Sequence, residues 1–261
     1  MRRVFLGLLT SALLAQEDPE ALWRERDNPE KAQQLIPVLE AALQENPHQP
    51  EKVMRLARLY YLIAEQTEEK SKKLELYDKA FRACRAELAY QVGLPSEAKD
   101  AEIVKKATAE HLPVLYWAAA SIARWAKNAA FAQRVKVRPT IRLYWDRIME
   151  IQPDYFHGGG YRFFGGYYAL VPAITGEQDV NKSKEMFEKS LSVAPYYLET
   201  KVLYAEAYAT HGKVRDRELF RRLLKEVLEA DPGTDPDYAA ENRLAKKKAQ
   251  RLQEREKEFF D

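Results

Sequence analysis

The sequence predicts an all-α protein in which TPR-like helical hairpin repeats stack into a right-handed superhelix. Ala, Leu, Glu, Lys and Arg fill every long segment, and no Val-, Ile- and Thr-rich run alternates as a strand does. Apolar residues recur at i, i+3, i+4 and i+7, as on one face of a helix. Residues of similar type recur at corresponding positions of successive segments. With 46% hydrophobic residues among 261, the chain is long enough to bury a sizeable core.

The first residues have the pattern of an export signal. Arg2 and Arg3 precede an apolar run that ends near Leu14, and polar residues follow from Gln16 onward. This pattern predicts a secretory signal peptide over residues 1–15, which is too short for a permanent membrane span. An uncleaved interfacial helix is the alternative. Because Gln16 stands where a lipoprotein has its acylated cysteine, we expect export to the periplasm without a lipid anchor.

Three amphipathic helices follow in order. Asn28 and Pro29 open the first, as N-cap and first helical residue, and the helix runs to about residue 45. The second is predicted over about residues 49–65 and the third over about residues 68–89. Residues 16–261 are therefore expected to form a single domain that begins with these helices.

The next segment, residues 96–130, is less regular. Val114, Trp117 and Ala118 fit the helical anchor pattern of the other segments. Pro113 is predicted to kink or split this helix, because a proline removes a backbone donor and clashes with the preceding turn.

A glycine-rich and aromatic stretch, DYFHGGGYRFFGGYYALVP, follows at residues 154–172. Its run of three glycines is predicted to end one helix. The new helix then places Tyr161, Phe164, Gly165 and Tyr168 on one face. Small residues among these aromatics allow a neighbouring helix to come close. Phe163 and Tyr167 point to other faces, so the helix is apolar nearly all round and is expected to be central.

Several segments share one register. The prolines that end helices, Pro47, Pro153, Pro195 and Pro232, are separated by approximately three, one and one units of a tetratricopeptide repeat of about 34 residues with insertions. The small anchor of the first helix recurs as Ala57, Gly165 and Ala205, each followed three residues later by a tyrosine. Second helices share Leu35, Leu39 and Ala42 with Ser183, Phe187 and Ser190.

The last segment, residues 235–260, is a charged helix with few large apolar residues. It is predicted to be a terminal cap with a polar outer face, which an open stack of repeats requires.

Composition and motifs argue against several classes of function. The net charge of +2 gives no field that favours nucleic acid. The single cysteine and four scattered histidines give no metal-binding spacing, and no nucleotide-cofactor motif occurs. His157 and the three glycines after it match an esterase oxyanion motif, but no Gly-x-Ser-x-Gly element accompanies them. We therefore expect a protein that is not an enzyme, with no catalytic residue, cofactor or metal.

Aromatic residues are concentrated in the middle third of the chain, and most of them are expected to be core. Their number also predicts an apolar cavity with a few polar groups, fit for an apolar or amphipathic small molecule. The candidate lining residues are Arg142, Trp145, His157, Tyr161, Arg162, Phe163, Tyr167 and Tyr168.

The chain closely resembles the T-component (TatT) family of tripartite ATP-independent periplasmic (TRAP) transporters in four segments: HGGGYRFFGGYYALVP, SLSVAPYYLETKVLYAEAYA, RDRELFRRLLKEVLEADP and AENRLAKKKAQRL. The resemblance is densest over residues 153–252. It implies an exported TPR-like protein that partners a TRAP-type periplasmic solute-binding protein, forms a homotrimer and has a hydrophobic pore. The family's motif residues correspond to Gly159, Gly160, Tyr161, Arg162, Gly165, Gly166, Tyr168, Tyr204, Ala205, Glu206 and Tyr208.

The function expected from the sequence and this resemblance is a non-enzymatic accessory to solute uptake, whose pore receives or passes on an apolar ligand. The alternative is a TPR scaffold in the cell envelope that binds another protein without transferring a ligand.

Overall fold

The computed structural model describes residues 17–261, and the predicted signal peptide lies outside them. Every regular element in this part of the chain is helical, so the all-α prediction is confirmed. The helices are α1 (Pro19–Arg24), α2 (Pro29–Glu45), α3 (Pro50–Gln66), α4 (Lys70–Gln91), α5 (Asp100–Lys106), α6 (Leu112–Asn128), α7 (Phe131–Ile151), α8 (Tyr155–Leu170), α9 (Val180–Val193), α10 (Glu199–Leu203), α11 (Arg217–Glu229), α12 (Ala239–Glu254) and α13 (Glu256–Phe260). A short 3-10 turn at Ala173–Thr175 follows α8, and a π-helical turn at Tyr204–Ala209 continues α10.

The predicted start of the first long helix is confirmed. The Asn28 side chain accepts a hydrogen bond from the backbone N–H of Glu30 at 2.9 Å, and Pro29 occupies the first turn. Both residues act as the sequence indicates, because the first turn leaves backbone donors without helical partners.

The prediction that Pro113 kinks or splits a helix is wrong. Pro113 lies in the first turn of α6, and the helix continues without interruption to Asn128. A proline is tolerated there because its missing N–H would have no intrahelical acceptor.

Consecutive helices pack against one another along much of the chain. α3 packs on α2 and α4, α4 on α6, α6 on α7, and α8 on α9. One hydrophobic cluster joins residues from Leu22 to Phe164, and a second joins residues from Ala169 to Leu252. The central helix α8 contributes to both clusters, through Phe164 and Ala169.

The penultimate helix, α12, packs beside residues near the N-terminal end of the described chain. Glu241 in α12 pairs with Arg26 at 2.5 Å and with Arg58 of α3 at 2.7 Å, and all three side chains are buried. Arg243 pairs with Asp27 at 2.7 Å. The outer face of α12 is polar and exposed at Lys247, Gln250 and Arg251, and its inner face in addition brings Glu241 to charges near the other end of the chain.

Candidate functional site

A left-handed turn begins the glycine-rich helix α8. Phe156, His157 and Gly158 have φ values of 50°, 57° and 73°. Each non-glycine residue in this conformation costs about 1–2 kcal/mol, because its Cβ crowds the following carbonyl. Right-handed helical geometry therefore starts only at Gly159, and the turn sets the direction in which α8 leaves α7.

Arg162, about one helical turn further along α8, stabilises this left-handed turn. Its guanidinium donates to the carbonyl oxygens of His157 at 2.8 Å and Phe156 at 3.2 Å, and to the Tyr116 hydroxyl at 2.9 Å. Burial opposes its charge, but Tyr116 and Tyr197 beside it raise the pKa of Arg162 above its ordinary value. The side chain is 5% exposed and stays charged.

The close approach that the small residues predict is confirmed between α8 and α9. A Cβ on Gly165 would lie 2.8 Å from the ring of Phe187. Ser183 donates to the carbonyl oxygen of Gly165 at 2.7 Å, and Ser190 donates to that of Gly158 at 3.0 Å. The face of α8 that carries Gly165 is therefore fully occupied by α9.

The opposite side of α8 borders a cavity of about 560 Å³. Aromatic rings form much of its wall, and Trp145 of α7 stacks on Phe163 of α8 with ring centroids 4.2 Å apart. A Cβ on Gly166 would meet no atom within 4 Å, so this glycine keeps the space open. Side chains from α3, α6, α7, α8, α10 and α12 also contribute to the lining.

Four of the predicted lining residues lie in the cavity wall: Trp145, Arg162, Phe163 and Tyr167. Arg142, His157, Tyr161 and Tyr168 do not line it. Arg142 lies over the ring of Phe164 and pairs with Asp146 and Glu177. The Tyr168 ring has Lys182 above it, 5.8 Å from its centroid.

His157 lies behind the cavity, stacked on Tyr197 with ring centroids 4.8 Å apart. Its Nδ1 lies 3.3 Å from the Tyr196 hydroxyl. Burial, helped by the charges of Arg162 and Arg58, lowers the pKa of His157 to about 4. The imidazole is therefore neutral at neutral pH.

The inner end of the cavity carries buried charges. Arg124 pairs with Glu199 at 2.9 Å, Lys248 of α12 pairs with the same carboxylate at 2.9 Å, and both cations also pair with Glu65. Burial opposes the Glu65 charge, but Arg124 and Lys248 outweigh it and hold the pKa of Glu65 well below its usual range. The cavity thus has a largely apolar wall, with a cluster of paired buried charges at its inner end.

The second family-motif segment forms the π-helical turn. Tyr204 stacks on Phe187 of α9 at 4.8 Å between ring centroids, and Ala205 is fully buried. Glu206 pairs with Lys127 at 2.9 Å, and Lys127 lines the cavity. This segment therefore packs behind α8 and α9, and contacts the cavity only through Glu206 and its partner.

Sequence reasoning missed the charged end of the cavity. Arg124, Glu199 and Lys248 are far apart along the chain, and each is a charged residue of the kind that is common on exposed helix faces. Tyr116 was visible as one of the clustered aromatics, but its bond to Arg162 depends on the left-handed turn.

Two kinds of feature are absent from residues 17–261. They contain no group of three or more His, Cys, Asp or Glu side chains placed to hold a metal ion. None of their helices combines the length and apolar character that a bilayer span needs.

A protein-family model matches the chain. The family model described as TRAP transporter T-component (TAtT) matches residues 32–260, which is nearly the whole chain. A comparison with curated protein sequences gives no match.

Proposed function

The chain belongs to the T-component family of TRAP transporters, and from this membership we propose that it is a non-enzymatic periplasmic accessory of a TRAP-type solute transporter. In this role it partners a periplasmic solute-binding protein and offers its cavity to an apolar or amphipathic small molecule. Export by residues 1–15 and assembly as a homotrimer belong to the same proposal.

The cavity is the observation that carries the proposal. Its volume of about 560 Å³ lies within the range of small-molecule sites. Its wall is largely apolar, with Trp145, Phe163 and Tyr167 among the lining residues. Such a surface favours ligands that expose apolar area to water when free, because binding removes that area from water.

An amphipathic ligand suits the cavity better than a purely apolar one. Arg124, Glu199 and Lys248 line one end, and Arg162 lines the wall with its guanidinium hydrogen-bonded. Polar groups of this kind fix the orientation of a ligand whose remainder is bound by apolar contact.

The fold part of the proposal is a single TPR-like domain over residues 16–261, stacked as a right-handed superhelix. Sequential packing of neighbouring helices supports it, as does the burial of the small anchors Ala57 and Ala205. The contact between α12 and the N-terminal residues modifies the open stack that such repeats usually form.

Native mass spectrometry of the protein gently released from the periplasm tests the proposal, because it reports the subunit number and any retained small molecule together. We expect a trimer that carries an apolar or amphipathic ligand, which then appears on denaturation. A ligand-free protein that also fails to bind the apolar fluorophore N-phenylnaphthylamine would contradict the cavity's role and favour the TPR scaffold.

A further inference from the structure

Exposed apolar side chains surround the opening of the cavity. Phe131 and Val135 begin α7 and are 63% and 52% exposed, Leu170 ends α8 at 53%, and Ile174 in the following 3-10 turn is 93% exposed. All four line the cavity. We call these four residues the apolar rim.

Basic residues accompany the rim. Lys127, Arg134 and Arg138 also line the cavity, and Lys136 directly follows Val135. Lys127 pairs with Glu206 and Arg138 with Glu177. The Arg134 guanidinium donates to the backbone carbonyls of Ala126 and Lys127, and neither Arg134 nor Lys136 has an ion pair to residues 17–261. The surface around the apolar rim therefore carries a surplus of positive charge.

The carboxylates of the cavity do not offset this surplus. Only Glu199 and Glu241 line the cavity among the acidic residues, and each is already paired with two cations at the inner end. The opening thus combines protruding apolar side chains with cations, which is the pattern of surfaces that lie on anionic bilayers.

We propose that the apolar rim is a docking surface for an anionic lipid bilayer. Phe131, Val135, Leu170 and Ile174 enter the boundary between headgroups and acyl chains, while Arg134 and Lys136 lie among the lipid phosphates. The mouth then opens directly onto lipid, so an amphiphile passes into the cavity without crossing water. The inference rests on the proposed function only in treating this mouth as the ligand's entrance.

A membrane suits the rim better than a protein partner does. The most exposed apolar residue, Ile174, lies in a short turn, and residues 131–136 at the start of α7 are all exposed. Projecting side chains of this kind can be immersed in a deformable phase without a matching pocket. Lysine, in addition, is depleted at the centre of protein interfaces and enriched beside anionic lipid.

Vesicle flotation of the purified protein tests the proposal. Vesicles of phosphatidylcholine alone are compared with vesicles that contain an equal part of phosphatidylglycerol. We expect binding to the anionic vesicles that weakens as salt is raised, because salt screens the attraction of Arg134 and Lys136 to lipid. Absence of binding to anionic vesicles, or equal binding to both kinds, overturns the proposal.

Matched variants assign the binding to the rim. Phe131→Ser with Ile174→Ser is expected to weaken binding about tenfold or more. The control, Tyr90→Ser with Val193→Ser, changes one aromatic and one aliphatic residue that are 55% and 41% exposed and lie outside the cavity lining, and it should bind as the unmodified protein does. Lys136→Glu should weaken binding about tenfold, whereas Lys213→Glu, also exposed and without an ion pair to the described residues, should not.

Two further measurements distinguish membrane docking from a protein interface at the rim and from the proposed binding of a ligand in the cavity. If the rim variant floats as well as the unmodified protein but no longer binds the solute-binding protein, the rim is a protein interface and the bilayer proposal is wrong. Binding of N-phenylnaphthylamine without vesicles is measured in parallel. Probe binding without flotation overturns only the docking, and flotation without probe binding overturns only the proposed ligand role.

Discussion

The guanidinium of Arg162 donates a hydrogen bond to the carbonyl oxygen of His157 at 2.8 Å, so the helix that borders the cavity also holds the strained turn from which it starts. This relationship gives Arg162 a structural role in addition to its place in the cavity wall.

Arg162→Met is expected to lower the free energy of unfolding by about 3 kcal/mol, because the carbonyls of Phe156 and His157 and the Tyr116 hydroxyl lose a charged donor in a buried place. Urea unfolding followed by circular dichroism measures the change. Arg82→Met is the control, since Arg82 is 76% exposed and makes only a surface ion pair. Equal stability of the two variants would show that the turn does not depend on Arg162.

The adjacent glycines of α8 are expected to respond in opposite directions to the same change. Gly165→Ala should destabilise the protein by about 1–3 kcal/mol, because the new methyl group would lie 2.8 Å from the Phe187 ring. Gly166→Ala should stabilise it by about 0.5–1 kcal/mol, since alanine favours helix and the space around it is open. Urea midpoints of the two variants check the pair, and a shift of the same sign in both would contradict the assigned faces.

Gly166→Leu should weaken the binding of N-phenylnaphthylamine about tenfold or more, because its side chain enters the cavity. Gly212→Leu is a matched control: Gly212 also has no neighbour within 4 Å of a Cβ, but does not line the cavity. Fluorescence titration gives both affinities. Unchanged affinity in a folded Gly166→Leu protein would mean that the probe binds elsewhere.

The stability of the protein should fall as the pH drops from about 6.5 toward 4, in part because of His157. Its pKa in the folded protein is about 4, below the ordinary value of 6.5, so over this interval the unfolded chain binds a proton that the folded protein does not. His157→Asn removes this contribution, and asparagine tolerates the left-handed conformation. Urea unfolding at several pH values should give a smaller loss for the variant than for the unmodified protein, and equal losses would contradict the role of His157.

Local signals in the sequence predicted much of the fold. Asn28 and Pro29 start α2 because capping depends on neighbouring residues alone. Ser183, Phe187 and Ser190 are buried as their spacing indicates. These features need no knowledge of distant parts of the chain, and sequence patterns report them well.

The cavity face of α8 was harder to predict, because the helix has aromatic residues on more than one side. The candidate lining residues came from two faces of the helix, Tyr161 and Tyr168 on one and Phe163 and Tyr167 on the other, and the cavity lies beside Phe163 and Tyr167. The two faces have similar composition, so only the position of α9 decides between them. The left-handed Phe156 was also beyond sequence reasoning, since its conformation depends on Arg162.

The pairing of Arg26 with Glu241 joins residues separated by 215 positions, and it has a consequence for how the chain matures. A nascent chain that lacks α12 has no Glu241, so the buried guanidinium groups of Arg26 and Arg58 have no carboxylate partner until α12 is made. Contacts between such distant residues are slow to form. We therefore expect the ion pairs of the N-terminal helices to be completed late, although those helices are made first, and a stop codon before Glu241 to destabilise the N-terminal end of the protein.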